Sequence, residues 1–386
     1  MRIRPLILPM DSPIDLPMDL IETRLKRNRL IKQIFSCQGE IYLVGGFLRD
    51  AFLGIRSNDI DIVIRGRGPR ALAEAIRSKT GGSVFVLKED QTVRIALDTK
   101  REKRVRTIDV SALNSTIESD LGTRDFTINS IAWSPERGFI DPCGGFKDIQ
   151  GKTIKAILKK NISNDYLRAF RLYRLYSVLG FQIDKRTRGW CSRLSASLKK
   201  IPPERITLEF FKLLEGGWWA QALRMALEDN VLERIIPLSY EELRRNIRLV
   251  SRLDRKVKAI HIKKYLKSGL VGLSQRGLMR LEGLVLGSQV SSLRITLSNE
   301  LVGKLKTLSY LYEQTRALRC KPGDSNLFKL LNNAGDSAPD LLILSEKEGC
   351  LGHYDRFVRL DRNPLLSAIE IMSIIGERPG PLIGEI

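Results

Sequence analysis

Apolar residues recur with two different spacings along this chain, and each spacing predicts one kind of secondary structure. Short apolar runs and a period of two predict strands at 41–44, 60–64, 83–87, 93–97 and 108–110. Apolar positions three and four residues apart predict helices at 20–37, 47–53, 69–80 and 164–181. From residue 202 onward only the helical spacing continues. The predicted strands are therefore confined to the N-terminal part of the chain.

This order of elements predicts an α+β fold. A head with a small mixed β-sheet and helices comes first, and an all-helical neck, body and tail follow. We predict a lead-in with a first helix at 1–37, the head at 38–150, the neck at 151–236, and the body and tail at 237–386. A chain of 386 residues is long enough for such a division.

The composition of the chain bears on its cellular compartment. No apolar run is long enough to cross a bilayer, and the first twenty residues lack the pattern of a signal peptide. The five cysteines are scattered without paired spacing, which supports neither a zinc site nor a disulfide framework. A reducing cytoplasm is the expected location, with no membrane association and no obligate protein partner.

The charge of the chain indicates a polyanionic partner. The formal net charge is +21, and nucleic acid is the first interpretation of such an excess. An anionic membrane surface or a generally basic proteome would also account for it. The cations are densest over 241–267, which predicts contact with an RNA backbone there. The candidates for this contact are Arg244, Arg245, Arg248, Lys263 and Lys264.

Three aspartates are the first candidates for chemistry. Asp59 and Asp61 share one face of the strand at 60–64, because side chains alternate along a strand. Asp109 sits between apolar neighbours in a third strand. Adjacent carboxylates repel one another, and a bound divalent cation relieves the repulsion. The alternative is that these charges simply face water at the edge of the sheet.

Two further motifs carry polar residues at short spacing. Residues 121–133 hold Arg124, Asp125 and Asn129, a hydrogen-bonding set that could also belong to a helix capped by Asp125. In the helix at 164–181, Asp165 and Arg168 lie three residues apart and hence on one face. An intrahelical ion pair, worth about 0.2–0.5 kcal/mol, is the simpler interpretation of that spacing.

The string Gly45-Gly46, Arg49-Asp50, Leu53-Gly54 and Asp59-x-Asp61, on a strand–turn–helix–strand, resembles a known family. It is similar to the nucleotidyltransferase superfamily of DNA polymerase β, and within it to the class II tRNA nucleotidyltransferases and bacterial poly(A) polymerases. The motifs that carry this resemblance extend over about residues 38–236.

The resemblance implies a function and a role for each motif. Asp59 and Asp61 would bind two Mg²⁺ ions, and Asp109 would complete a catalytic triad of carboxylates. Nucleotide binding would fall to Gly45, Gly46, Arg49, Arg124, Asp125, Asn129, Asp165 and Arg168. Asp165 and Arg168 would recognise the base, in place of a template. The family's first arginine of the ribose motif is Thr123 here, and its glutamate before Asp165 is Asn164.

One departure from the family bears on specificity. Only 110–123 joins Asp109 to Arg124, where relatives that add A carry a longer flexible segment. This shortening is similar to CC-adding enzymes and predicts transfer of C residues from CTP to the 3′ end of tRNA. Complete CCA addition, which also uses ATP, and poly(A) polymerisation are the alternatives. A non-catalytic RNA-binding protein would explain the charge but not the acidic strand.

Overall fold

The structure is a computed structural model, and it describes residues 17–89, 91–98, 105–259, 272–318 and 325–362. The chain divides into two compact units, and the division falls between Val231 and Leu232. We call them the first and the second unit and describe each by itself. The domain boundaries that the sequence predicts remain a prediction.

The first unit is built on a seven-stranded sheet with the order β3-β4-β5-β2-β1-β6-β7. Its strands are β1 Glu40–Val44, β2 Asp59–Arg65, β3 Ser83–Lys88, β4 Thr92–Ala96, β5 Thr107–Ala112, β6 Ala132–Ser134 and β7 Gly138–Ile140. Strands β2 and β5 are parallel, and the other neighbours are antiparallel. Two short parallel strands, β8 Thr153–Ile154 and β9 Gln182–Ile183, pair apart from this sheet.

Eleven helices of the described residues surround and extend the sheet of the first unit. They are α1 Met18–Arg27, α2 Arg29–Phe35, α3 Gly46–Phe52, α4 Pro69–Thr80, α5 Ile117–Gly122, α6 Gly145–Gln150, α7 Lys159–Asn164, α8 Leu167–Leu179, α9 Lys185–Arg193, α10 Pro203–Glu215 and α11 Trp219–Glu228. The α+β fold class is therefore confirmed, and the five strands predicted from apolar spacing are β1 to β5.

The core of the sheet follows from alternation along its strands. Ile60, Ile62 and Ile64 of β2 are buried on one face of the sheet. On the other face Val63 is buried in an apolar cluster that also contains Ile117 and Leu121 of α5. Helix α5 thus covers part of the same face that carries Asp59 and Asp61, since these aspartates alternate in register with the isoleucines.

Several predicted helices differ in the structure. The predicted helix over 20–37 is broken at Asn28, whose side chain accepts a hydrogen bond from Ile31 N at 3.1 Å and so caps α2. The helix predicted over 164–181 begins only at Leu167. The capped helix considered for 125–133 is a single 3₁₀ turn, Thr127–Asn129, followed by β6. Helical spacing does not show where a polar side chain ends a helix.

The second unit is helical throughout its described residues. Its helices are α12 Tyr240–Ala259, α13 Gln275–Leu284, α14 Asn299–Ala317, α15 Ser325–Ala334, α16 Ala338–Leu344 and α17 Leu351–Arg362. Leucines from α12, α14, α15 and α16 form one buried cluster. Among the described residues, no helix has the length and apolar content needed to cross a bilayer.

The cysteines depart from expectation at one position. Cys37, Cys143 and Cys191 are free thiols. Cys350, which is buried, is disulfide-bonded, a single bond that the scattered cysteines did not indicate. Spacing along the sequence reveals only local cysteine pairs, and it therefore gave no sign of this bond.

Candidate functional site

Parallel pairing of β2 and β5 places the aspartates in one row. Asp61 is the register partner of Asp109, and Asp59 is the register partner of Thr107. Register partners point to the same face of a sheet, so the three predicted carboxylates share one face. Thr107 donates a hydrogen bond from Oγ1 to Oδ1 of Asp59 at 2.7 Å. We call Asp59, Asp61 and Asp109 the acidic row.

Electrostatics within the acidic row disfavour the charge of Asp61. Partial desolvation raises the pKa of Asp61, and the negative charges of Asp109 and Asp59 raise it further, while Arg124 opposes them. The side chain of Asp61 nevertheless reaches solvent, and repulsion from its neighbours in the acidic row adds to the effect of desolvation. A cation bound beside Asp61 would lower that pKa again.

The glycine pair brings backbone close to these charges. Gly45 has a φ of +79°, which is strained for any residue with a side chain. A Cβ at Gly45 would lie 3.3 Å from both Arg124 Nη1 and Asp61 Oδ2. A Cβ at Gly46 would lie 3.3 Å from Arg49 Nη2. The turn from β1 into α3 therefore leaves just enough room for the two guanidinium groups and the acidic row.

Arg49 lies on the buried side of the turn at Gly45 and Gly46. Its Nη1 donates to Oδ1 of Asn129 at 2.5 Å, and its Nε and Nη2 donate to Oδ1 of Asp50 at 2.9 and 2.6 Å. Asn129 in turn donates from Nδ2 to Oδ1 of Asp125 at 3.3 Å. The structure thus brings together Arg49, Asn129 and Asp125, although Arg49 lies about eighty positions from the others.

Asp125 lies deeper than the sequence predicts. It is 4% exposed, and its Oδ2 accepts from Arg171 Nη1 of α8 at 2.7 Å. Burial alone would raise its pKa, but the charge and hydrogen bond of Arg171 hold the pKa at about 2. Asp125 is therefore an anion at neutral pH, and its immediate partners are protein groups.

Arg171 continues the chain of contacts into the next helices. Its Nε donates to Glu209 of α10 at 3.2 Å, and Arg174 donates to the same carboxylate at 2.9 Å. The two arginines lower the pKa of Glu209 although its burial would raise it. Sequence reasoning missed Arg171, Arg174 and Glu209. A polar stripe on the otherwise apolar helices α8 and α10 was the available signal.

Arg124 lies beside the acidic row, and hydrogen bonds to Asp120 fix its guanidinium. Its Nε and Nη2 donate to Oδ2 of Asp120 on α5 at 3.1 and 2.9 Å. Its Nη1 faces the turn at Gly45. The guanidinium is therefore oriented by α5, within the segment that is short in this chain.

The proposed base-reading pair is arranged differently from the prediction. Asp165 precedes α8, and its Oδ2 accepts from Arg205 Nη2 at 2.7 Å. Arg168 donates from Nη1 to the carbonyl oxygens of Thr123 and Asn161 at 2.8 and 2.9 Å. The intrahelical ion pair that spacing suggested is thus wrong, since each side chain has another partner. Arg168 instead fixes α8 to the backbone next to Arg124.

The chemistry of the acidic row fits a divalent cation. Carboxylate oxygens are the ligands that Mg²⁺ prefers, and Asp59 and Asp61 are adjacent on one strand face. Within the ranges that the structure describes, however, no three His, Cys, Asp or Glu side chains converge on one metal position. Both oxygens of Asp109 accept from Arg94 of β4 at 2.7 Å. Two ions remain a prediction.

Two surface hollows lie away from this site. One of about 360 Å³ borders α1, α2 and Trp133, and one of about 430 Å³ borders Glu40 to Tyr42 and Arg137. Glu40 pairs with Arg65 at the end of β1 opposite to the pairing of Val44 with Asp61. The hollow beside Glu40 is therefore at the other end of β1 from the acidic row.

The predicted RNA-binding cations lie on α12 as far as the structure describes them. Arg244, Arg245 and Arg248 are exposed, and Arg244 also contacts Glu241 at 3.4 Å. Lys263 and Lys264 lie outside the described residues. Leu243, Ile247, Val250 and Leu253 of α12 are buried, and Leu253 belongs to the apolar cluster of the second unit. The basic face of α12 is hence turned outward.

Two family descriptions match the chain. Residues 41–155 match the family described as "Poly A polymerase head domain", and residues 180–242 match "Probable RNA and SrmB- binding site of polymerase A". The first match contains the acidic row, the glycine pair and the motif from Arg124 to Asn129. The second contains α9, α10 and α11.

Named relatives are similar over part of their length. The CCA-adding enzyme of Bacillus velezensis is 29% identical over 229 residues, which cover 55% of this chain and 56% of that enzyme. The CC-adding tRNA nucleotidyltransferase of Geobacter sulfurreducens is 36% identical over 177 residues, which cover 45% of this chain and 40% of that protein. The chain thus spans about half the length of the curated relatives that it matches.

A solved structure supports the fold over a longer stretch. The Thermotoga maritima CCA-adding enzyme complexed with tRNA matches with a TM-score of 0.71 and 20% identity. The match covers 95% of this chain and 92% of that one. At this identity the likeness confirms the fold of the chain.

Proposed function

Because this chain belongs to the family of tRNA nucleotidyltransferases and poly(A) polymerases that share the poly A polymerase head domain, we propose that it is a template-independent tRNA nucleotidyltransferase. It transfers CMP from CTP to the 3′ end of tRNA. The observation that carries the proposal is the pairing of Asp61 with Asp109 beside Gly45 and Arg124. Anionic and cationic groups there face one narrow space, as transfer of a phosphoryl-type group requires.

The reaction is an in-line displacement at phosphorus. The terminal 3′ hydroxyl of the tRNA attacks the α-phosphorus of CTP, a new P–O bond forms, and the bond to the bridging oxygen breaks as pyrophosphate leaves. Divalent ions bound at Asp59 and Asp61, with Asp109 as third carboxylate, would lower the pKa of the attacking hydroxyl and neutralise phosphate charge. The contribution of the protein is positioning and charge, and no histidine is needed.

The arginines and the glycine turn hold the triphosphate in this proposal. Arg124 presents Nη1 toward the turn while Asp120 fixes its other nitrogens, so its orientation is set before the nucleotide binds. Gly45 and Gly46 allow a phosphate to approach the backbone closely. Arg49 lies buried beside the glycine turn and donates to Oδ1 of Asn129, which keeps the amide of Asn129 in place. Asn129 then reads the ribose, with Asp125 fixing its amide from behind.

Asp165 and Arg168 select the base. A carboxylate accepts from the amino group of cytosine, and a guanidinium donates to its O2 and N3 acceptors. Both side chains are held by neighbours: Asp165 by Arg205, and Arg168 by the carbonyl oxygens of Thr123 and Asn161. Each keeps hydrogen-bonding capacity beyond these contacts, since a carboxylate accepts several bonds and a guanidinium carries further N–H groups.

The segment from Asp109 to Arg124 supports addition of C alone. It contains the end of β5, a short connection and α5, and α5 is packed into an apolar cluster through Ile117 and Leu121. Its first turn is capped by Thr116, which accepts from Ser119 N at 3.2 Å. A segment that is folded onto the sheet cannot reshape the pocket for a second base. CC addition is therefore favoured over complete CCA addition.

The tRNA is the macromolecular partner in this proposal, and Mg²⁺ is the metal cofactor. The exposed cations of α12 would hold its phosphates. A cytoplasmic location is part of the same proposal. A second substrate, ATP, belongs only to the alternative of complete CCA addition.

Incubation of the purified protein with tRNA that lacks its 3′-terminal CCA, Mg²⁺ and single labelled nucleotides tests the proposal. We expect two C residues from CTP and no terminal A from ATP. Efficient incorporation of AMP after CC would establish complete CCA addition, and long homopolymers on unrelated RNA would establish a poly(A) polymerase. Asp61→Ala should retain tRNA binding and lose incorporation. Equal incorporation by Asp61→Ala and the unchanged protein would refute the catalytic proposal.

A further inference from the structure

Arg94 engages the third carboxylate of the acidic row completely. It is the register partner of Asp109 on the neighbouring strand, as Asp109 is of Asp61. The three side chains therefore follow one another across β4, β5 and β2 on the same face. Arg94 Nε donates to Oδ1 of Asp109, and Arg94 Nη2 donates to Oδ2, each at 2.7 Å. This is the two-point geometry in which a guanidinium binds a carboxylate best.

The other cations near the acidic row make weaker contacts with its carboxylates. Lys212 of α10 lies 4.0 Å from Oδ2 of Asp59, and both side chains are more than half exposed. Such a pair contributes little. Arg124 faces Asp61 but donates to Asp120. Within the described part of the head, Arg94 is thus the group that occupies both oxygens of a carboxylate in the row.

The position of Arg94 also makes it replaceable. Its side chain is 43% exposed and that of Asp109 is 23% exposed, so solvent screens the pair in part. A small divalent ion can approach the same oxygens and carries twice the charge. If the hydrogen bonds between Arg94 and Asp109 break, water can solvate the guanidinium, because it is already partly exposed.

From this geometry, and resting on the function proposed above, we propose that Arg94 regulates the third carboxylate of the metal site. Its guanidinium occupies the position on Asp109 that a metal cation would take. An ion that uses Asp109 as a ligand must first displace Arg94. Arg94 is therefore a positioning residue that lowers the affinity of the acidic row for divalent ions, and Asp59 and Asp61 provide the ligands that an ion reaches without displacing Arg94.

Binding of Mn²⁺ to the full chain without nucleotide, followed by electron paramagnetic resonance of the free ion, tests this inference. We expect Arg94→Met to bind Mn²⁺ about tenfold more tightly than the unchanged protein. The double variant Arg94→Met, Asp109→Asn should not show that increase, because the freed carboxylate is its source. Arg94→Lys makes a one-point contact with Asp109, so its Mn²⁺ affinity should lie between those of the unchanged protein and Arg94→Met. This variant replaces Arg94→Met if the latter does not fold.

Two controls separate the possible failures. Arg77→Met removes an exposed arginine that pairs with Glu74 on α4, and it should leave Mn²⁺ affinity unchanged. Asp61→Ala should abolish Mn²⁺ binding. If Asp61→Ala abolishes binding but the Arg94 variants bind as the unchanged protein does, or more weakly, the inference is overturned and the metal site stands. If neither the unchanged protein nor the Arg94 variants bind Mn²⁺, the metal site and the inference both fail.

Discussion

Arg171 of α8 donates to Asp125 at 2.7 Å, and the same guanidinium reaches Glu209 of α10 at 3.2 Å. One side chain therefore connects the motif that follows α5 with two helices of the neck. Because Asp125 also fixes Asn129, the connection continues to Arg49 in the head. The residues for which we propose ribose binding are therefore linked through Arg171 to α8 and α10.

Loss of this connection should cost both stability and activity. Arg171→Met leaves Asp125 buried without its main counter-charge, and we expect the free energy of unfolding to fall by about 3 kcal/mol. The pKa of Asp125 should rise, because Arg171 is what holds it at about 2. Urea denaturation measures the first effect. Replacement of Asp125 by Asn in the same protein should return part of the stability, and a double variant less stable than either single one would contradict this explanation.

Crowding at the glycine turn can be separated from backbone strain. Gly45→Ala places a Cβ 3.3 Å from Arg124 and Asp61, whereas Gly54→Ala at a φ of +64° meets nothing within 4 Å. Backbone strain should cost roughly 1–2 kcal/mol of stability at Gly54 and roughly 1–3 kcal/mol at Gly45, whose φ of +79° and ψ of −144° are almost restricted to glycine. Only Gly45→Ala should also lose incorporation of CMP, by about 100-fold, since small displacements of reacting groups have effects of that size. Equal rates for both variants would show that the close approach is unimportant.

The second unit should lose stability as the pH rises. Lys304 Nζ lies 2.6 Å from both Glu282 and Asp340, so two buried carboxylates share one ammonium. Burial, together with the charge of Asp340, raises the pKa of Glu282 from 4.5 to about 8. The unfolded chain loses this proton near pH 4.5 and the folded chain near pH 8, so the contribution is complete below pH 4.5 and is lost as the pH rises to 8.

The variant Glu282→Gln should remove this dependence of stability on pH. We expect the unfolding free energy of the unchanged protein to fall between pH 5 and 8 by on the order of 2 kcal/mol more than that of Glu282→Gln. Chemical denaturation at both pH values measures the difference. Glu313→Gln, on an exposed side chain of α14, is the matched control and should follow the unchanged protein. Parallel profiles for the unchanged protein and Glu282→Gln would contradict the assignment.

The basic face of α12 should act through direct binding to phosphates. Replacement of Arg245 and Arg248 by Gln should weaken tRNA binding and reduce the slope of log K against log salt by about one for each phosphate that is no longer neutralised. Arg316→Gln, at an exposed arginine of α14, is the control and should leave the slope unchanged. Filter binding at several salt concentrations gives the slopes. Weaker binding with an unchanged slope would indicate a structural effect of the two substitutions.

The sequence predicted those features that depend on neighbouring residues. Alternation along one strand placed Asp59 and Asp61 together, and glycines beside apolar runs located the turn at Gly45. Both are local properties of the chain. The family matches then confirmed the resemblance that these motifs carried.

Partners distant in sequence were outside the reach of such patterns. The pairing of Asp61 with Asp109 depends on the register between two parallel strands, which no local spacing specifies, and the family resemblance supplied that prediction. The same reason explains why the sequence did not predict the hydrogen bonds of Asp165 with Arg205 and of Asp109 with Arg94, which lie 40 and 15 positions away. A local pattern suggested Arg168 as the partner of Asp165, and the fold supplied another.

The hydrogen bonds of Arg171 limit how this protein can be recombined with its relatives. A chimera that exchanges α8 alone would replace Arg171 and leave Asp125 and Glu209 without the guanidinium that they contact. The interchangeable block is instead the set formed by Asp125, Arg171, Arg174 and Glu209 with the helices that carry them. Transplants that respect this block should remain soluble and active, and those that cut through it should not.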